Sequence, residues 1–340
     1  MVSIALALQG GGSHGAFTWG VLDRLLAEPA IAIEGVSGTS AGAMNACALA
    51  AGLVDGPDAA AGELAGLWRA INHAGKAVSN PFQSQPWQDV FRYWNIDDTP
   101  MSAWFDLMTP FASPYQMNPF DHDPLGDLVA RQFDYDRLRN EAVPVWLCAT
   151  NVRTNKVKLF SGAELSPQAL LASACLPQLR RAVPIHTDEG LEHFWDGGFV
   201  GNPVLKPLIR DLPVGDIVII QVNPVNREDL PISARDIEDR VNEITFNASM
   251  MRELDGIATI SRLIDEGCLS HPRYRSIRLH ASGADVEMAK LGLKSKFDTS
   301  WPFLSFLFEL GRDTADTWMA DQGQMIGQQS TLDIDRYRIQ

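Results

Sequence analysis

The tightest constraint on this chain is a turn. Residues 31–37 read as a strand that runs into Gly38-Thr39-Ser40-Ala41-Gly42, and residues 41–53, rich in alanine with Met44, Leu49 and Leu53, read as a buried helix. A G-x-S-x-G segment between a strand and a helix forces the serine onto a sharp turn. It lifts the hydroxyl out of the sheet at the carboxyl end of its strand. The flanking glycines are needed because side chains there would strike the neighbouring strand and helix. Upstream, residues 2–8 form an apolar run ending in a glycine cluster, and residues 14–28 carry Phe17, Val21, Leu22, Leu25 and Leu26 at helical spacing. The opening residues therefore spell β-α-β-α, the pattern of a parallel sheet with crossover helices.

The glycine cluster is the second constraint. Gly10-Gly11-Gly12-Ser13-His14-Gly15 follows a strand, opens a helix and matches G-x-G-x-x-G. Glu34 lies near the end of the second strand, about where a dinucleotide fold keeps its ribose-binding acid. Such a loop points successive N–H groups into one concavity, and the helix start adds a positive end. That concavity holds a pyrophosphate or the oxyanion of an acyl intermediate equally well. In a parallel sheet consecutive βα loops open on one edge, so this loop and Ser40 are expected to meet. A dinucleotide-binding dehydrogenase has no use for Ser40. An acyl hydrolase uses both features.

A serine nucleophile needs a base. An α/β-hydrolase order would put a histidine late in the chain, but His271 and His280 stand in no recognisable motif. Trp195-Asp196-Gly197-Gly198 offers a better candidate, because the two glycines let the Asp196 carboxylate approach another backbone. Taken alone, Asp-Gly-Gly is an ordinary turn. Paired with the Ser40 turn, it completes a nucleophile and a base.

Elsewhere, 144–150, 156–160, 216–222 and 274–280 read as strands, and 234–267 as a long helix. Residues 80–120 are crowded with aromatics, among them Trp87, Trp94, Trp104 and Phe111, and broken by prolines. They are expected to form short helices and loops, either packed on the core or capping an acyl-chain pocket. Trp301–Phe308 is strongly apolar but too short to span a bilayer, and is expected to begin a buried helix.

With 46% hydrophobic residues the 340-residue chain has ample material for one large α/β domain. The net charge of −14 argues against nucleic acid and against attraction to strongly anionic membranes. Four widely spaced cysteines give neither a disulfide framework nor a metal site. Met1–Leu8 has no basic lead and reads as a strand, not a signal peptide, so a cytoplasmic location is expected, compatible with transient contact at a membrane surface.

Three of these segments together resemble the patatin-like phospholipases over roughly residues 3–210. Gly10, Gly11, Gly12 and Gly15 match that family's oxyanion loop. Gly38, Thr39, Ser40, Ala41 and Gly42 match its nucleophile elbow, and Asp196, Gly197 and Gly198 its Asp-Gly-Gly/Ala motif. Ala172-Ser173-Ala174-Cys175-Leu176-Pro177 also resembles a family segment. The resemblance implies a three-layer α/β/α fold with a mainly parallel central sheet. An aromatic-rich cap insertion at 80–120 and a C-terminal helical extension go with it, residues 211–340 completing the same domain. It implies a Ser40–Asp196 dyad without histidine, a lipid or other acyl-ester substrate, and no cofactor or metal. His14 stands where the family usually has arginine or lysine, and is expected to line the site. A general carboxylesterase, a polyester depolymerase or a catalytically silent scaffold would use the same fold; the oligomeric state is left open.

Overall fold

The computed structural model describes residues 1–78, 113–117, 123–269 and 275–337. The cap expected at 80–120 lies outside the described residues except for 113–117, and so do His122 and His271. Among the described residues eight strands form one sheet: β1 (Val2–Leu8), β2 (Ile31–Thr39), β3 (Val145–Asn151), β4 (Val157–Ser161), β5 (Val183–Thr187), β6 (Gly190–Asp196), β7 (Asp216–Ile220) and β8 (Arg278–Ser282). The order is β5-β6-β3-β2-β1-β7-β8, with β4 paired to β3 off that path. The β3–β2–β1–β7–β8 stretch is parallel; β4, β5 and β6 join antiparallel.

β1 lies at the centre and explains the layering. Its side chains alternate with the period of a strand. Ile4, Leu6 and Leu8 enter one buried cluster with α1 (Gly15–Leu26), α2 (Ala41–Leu53) and α3 (Pro57–Val78). Ala5 and Ala7 enter a second cluster on the other face, with α7 (Lys206–Asp211) and α8 (Ala234–Asp265). Three shorter helices, α4 (Pro124–Gln132), α5 (Tyr135–Asn140) and α6 (Pro167–Ser173), belong to the first face. Helices thus cover both faces, as a mostly parallel sheet requires.

The final helix, α9 (Trp301–Gln322), closes the first face against α1. Trp19 lies tilted against Phe308, with ring centroids 4.1 Å apart. The axes approach so closely because each helix offers a glycine. A methyl group at Gly20 would stand 2.0 Å from the Phe308 carbonyl oxygen, and one at Gly311 would stand 2.1 Å from that of Phe17. The run Trp301–Phe308 is therefore helix packed on the core, with Leu304 and Leu307 fully buried. Among the described residues no helix is long and apolar enough to cross a membrane.

The strand expected at 216–222 ends at Ile220, because Gln221 and Asn223 turn their side chains into hydrogen bonds under the glycine loop and the tail. The strand expected at 274–280 runs instead from Arg278 to Ser282, set by its pairing with β7.

Gly20→Ala tests the helix contact. Helix propensity alone would favour alanine by about 1 kcal/mol. Forcing a methyl group into a backbone oxygen costs about 1–3 kcal/mol. The net expectation is a protein destabilised by up to about 2 kcal/mol in urea unfolding; a stabilised variant would refute the close packing.

Candidate active site

The site sits at the carboxyl edge of the sheet, where the strand order switches direction between β2 and β7 on either side of β1. Such switch points open a crevice. The ends of β1 and β2 are adjacent, Leu8 pairing with Gly38, and Leu8 also pairs with Ile220 of β7. The loops that follow these three strands are therefore neighbours.

Ser40 has φ 56° and ψ −123°, a conformation that side chains rarely adopt. Holding it there costs on the order of 1–3 kcal/mol, which the surroundings must supply. They do so through backbone packed on backbone. A Cβ at Gly38 would lie 2.4 Å from the Gly42 carbonyl oxygen, and one at Gly42 would lie 2.3 Å from that of Leu8. The Ser40 N–H donates to Ser173 Oγ at 3.1 Å, and its carbonyl accepts from Ala43 and Met44 as α2 begins. Thr39 Oγ1 and Ser37 Oγ anchor the strand below, donating to the Gly201 and Val204 carbonyls at 2.7 Å each.

Register brings Asp196 to the same level. Thr39 pairs with Cys148 across β2 and β3, and the next residue, Ala149, pairs with Asp196 across β3 and β6. The serine and the acid thus face each other over one intervening strand. Asp196 is fully buried. Its Oδ1 accepts the Gly198 N–H at 2.7 Å. Among the described residues Oδ2 has no partner at hydrogen-bond geometry. The Ser40 hydroxyl is nonetheless near enough to favour the ionised carboxylate. Burial is the larger influence, and raises the Asp196 pKa to about 6; the Gly198 N–H, Ser40 and Lys296 pull the other way. The two glycines after Asp196 are steric necessities. A Cβ at Gly197 would meet the Cys148 carbonyl oxygen at 2.2 Å, and one at Gly198 the Phe246 ring at 2.3 Å.

The glycine loop lies against the Ser40 turn: a Cβ at Gly10 would be 2.6 Å from that of Ser40, and one at Gly15 2.7 Å from that of Ala41. Its four glycines differ in what their N–H groups do. Gly10 donates to Asn202 Oδ1 at 2.7 Å, and Gly15 donates back to the Gly12 and Ser13 carbonyls. Gly10 and Gly15 therefore shape the loop, and their N–H groups are not free to meet a ligand. Gly11 and Gly12 have no acceptor among the described residues. The Ala41 N–H, first in α2, has none within its helix. These are the groups able to receive a negative oxygen next to Ser40.

His14 does not supply charge. It is buried, its Nε2 is 2.7 Å from Ser295 Oγ, and burial together with Lys296 lowers its pKa to about 3. Where the resembled family usually has arginine or lysine, the chain holds a neutral ring under the loop. Four further side chains were not read as site residues. Asn202 holds Gly10. Gln9 accepts from the Val222 and Asn223 N–H groups at 3.0 Å. Asn223 donates to the Gly10 carbonyl at 2.8 Å. Lys296 donates to Asn223 and Asn242 at 2.8 and 2.7 Å. Asn202 had a signal, since it follows the Asp-Gly-Gly turn; Lys296 had none. His280 is buried away from Ser40, bonded to Asp216 at 3.0 Å and Thr331 at 3.0 Å. Among the described residues no group of three or more His, Cys, Asp or Glu side chains could hold a metal.

A family model described as patatin-like phospholipase matches residues 6–209, and so spans the glycine loop, the Ser40 turn and Asp196. No curated protein sequence matches the chain. Among solved structures, VipD from Legionella pneumophila is 16% identical, with a TM-score of 0.42 over 94% of this chain and 67% of that one. The complex of full-length SpcU with full-length ExoU, from the type III secretion system of Pseudomonas aeruginosa, shows 14% identity. Its TM-score is 0.27, over 99% of this chain and 76% of that one.

The raised pKa of Asp196 makes a stability prediction. An acid whose folded pKa lies above its unfolded value favours the fold below about pH 4, and that contribution is lost as the pH rises through about 6. Asp196→Asn removes the buried charge and keeps an oxygen for the Gly198 N–H. At pH 8 it is expected to be more stable than wild type by on the order of 2–3 kcal/mol, the gap closing below pH 4. Urea titrations at the two pH values check this; equal stability at both would place the carboxylate in a wetter setting.

Proposed function

The chain belongs to the patatin-like phospholipase family, and on that footing we propose that this lipid acyl hydrolase cleaves its esters through a Ser40–Asp196 dyad. The observation that carries the reading is the strained Ser40, φ 56°, beside a fully buried Asp196 whose Oδ2 has no hydrogen-bond partner among the described residues. Strain of this kind persists where the geometry is used.

In this reading the Ser40 oxygen attacks the ester carbonyl carbon while Asp196 takes the hydroxyl proton. The carbonyl oxygen, now negative, accepts from the Gly11 and Gly12 N–H groups and from Ala41 at the start of α2. Removing one donor of that kind typically costs on the order of a hundredfold in rate. The tetrahedral species collapses, expelling the alcohol, which leaves with the proton carried by Asp196. Water then enters, gives one proton to Asp196 and adds to the acyl carbon; the bond to the Ser40 oxygen breaks, that oxygen takes the proton back from Asp196, and the acid is released. A base near pKa 6 is ionised at neutral pH yet still returns a proton readily.

The substrate class proposed is a long-chain acyl ester, phospholipid or lysophospholipid. The support is the family and the aromatic-rich stretch at 80–120, whose placement lies outside the described residues. The test is hydrolysis of p-nitrophenyl esters of rising chain length by wild type, Ser40→Ala and Asp196→Asn. Rates should rise with chain length, fall at least a thousandfold in both variants, and decline below about pH 6 as Asp196 takes up a proton. Preference for short esters would point to a general carboxylesterase. Turnover by a folded Ser40→Ala protein would sink the dyad.

A further inference from the structure

Residues beyond the matched 6–209 also build the site: Asn223 and Phe246 reach it, and so does one short turn. The 3-10 turn Leu293–Phe297 lies on the glycine loop. Gly12, at φ 58°, makes room for it: a Cβ there would stand 2.3 Å from the Lys296 carbonyl oxygen. Ser295 meets His14, and the Leu293 N–H donates to Asp239 Oδ1 of α8 at 2.7 Å. The turn is thus fixed to both the loop and α8.

The Lys296 side chain runs inward from this turn. Its Nζ donates to two neutral amides, Asn223 Oδ1 and Asn242 Oδ1, and stands 5.4 Å from the Phe246 ring centroid. Among the described residues it forms no direct ion pair. The nearby carboxylates are otherwise engaged: Glu243 pairs with Arg227 and Arg240, and Asp239 holds the Leu293 N–H. Two of its neighbours lead into the two halves of the site. Asn223 hands on to the Gly10 carbonyl, and Phe246 is the ring on which Gly198 packs. A cation held by neutral amides projects its charge into the surroundings instead of cancelling it in a pair. The low dielectric of a buried setting makes that field stronger.

We infer that Lys296 is a positioning residue of the hydrolase: its ammonium supplies the fixed positive charge that steadies the Asp196 carboxylate and the oxyanion at Gly11 and Gly12. The inference rests on the Ser40–Asp196 reading. It gives a role to a residue outside the three recognised motifs.

The groups facing this pair are few. Asp239 and Glu243 come from α8, with Arg227 and Arg240 on Glu243, and His14 comes from the loop. Cys148 and Cys175 flank Asp196. Burial and Lys296 hold His14 near 3, and burial pushes both thiols upward. Burial lowers the Lys296 ammonium to about 8 against the pull of Glu243, Asp239 and Asp196. Between pH 5 and 9 the site should therefore gain competence as Asp196 ionises, near 6, and lose it as Lys296 gives up its proton, near 8.

The experiment is the rate at which a long-chain fluorophosphonate labels Ser40 in the full chain from pH 5 to 10. Wild type, Lys296→Arg and Lys296→Met are compared, with Ser40→Ala as the blank and thermal melts run on each. Wild type should give a bell. Lys296→Arg, whose charge persists to high pH, should move the alkaline fall upward by at least one pH unit. Lys296→Met should lose the alkaline fall, shift the acid limb upward and label at least tenfold more slowly at pH 7. If the methionine variant does not fold, the arginine comparison decides. Profiles of the same shape in wild type and folded variants, differing only in height, would make Lys296 a structural tether and overturn the inference alone. Absence of wild-type labelling at every pH would overturn the hydrolase reading and this inference with it.

Discussion

At the carboxyl edge of the sheet, main chain packs directly on main chain, and the rest of the site depends on that contact. Gly42 lies on the Leu8 carbonyl, Gly38 on that of Gly42, Gly10 on the Ser40 turn and Gly197 on the Cys148 carbonyl. Each is a place where a methyl group would have to displace backbone. The consequence is rigidity without side chains, so Ser40 keeps a conformation that would relax elsewhere. Among the described residues the N–H groups of Gly11 and Gly12 are left without an acceptor. The same closeness sets the level of Asp196, through two strand pairings that admit little slip.

Electrostatics then divides the work. Burial makes Asp196 a stronger base than a surface carboxylate. Its nearest stabilising contacts are one N–H and one hydroxyl, and the nearby cation is held at one remove by amides. The glycine loop is braced from beneath by Gln9, Asn202 and Asn223, neutral side chains whose dipoles are fixed by hydrogen bonds. A site so braced has little to reorganise when charge develops within it.

Much of this was legible in the chain. The Ser40 turn, the glycine loop and Asp-Gly-Gly follow from local steric demands that only certain residues meet, and such demands are written in adjacent letters. α2 was bounded at Ala41 and Leu53 by composition alone. The β5–β6 hairpin was not read, because β5 carries Pro184 and β6 mixes Glu192 and His193 into its pattern, as partly exposed strands do. α3 leaves a plainer trace, since Leu64, Leu67, Trp68 and Ile71 recur at helical spacing after Pro57. Lys296 was beyond reach for a different reason. Nothing near it in sequence hints at a partner, and its position comes from the packing of a short turn on Gly12.

The placement of β1 bears on how the protein is made. Its neighbour β2 follows it at once, but its other neighbour, β7, is Asp216–Ile220, far along the chain. During synthesis β1 therefore emerges as an apolar strand with one edge open, and α1 lacks its cover until Trp301–Gln322 follow. Open edges of that kind recruit other strands. The nucleophile, the base and most of the core leave the ribosome well before the segments that seal them. It is this half-built sheet, rather than the finished enzyme, that holding chaperones would have reason to recognise.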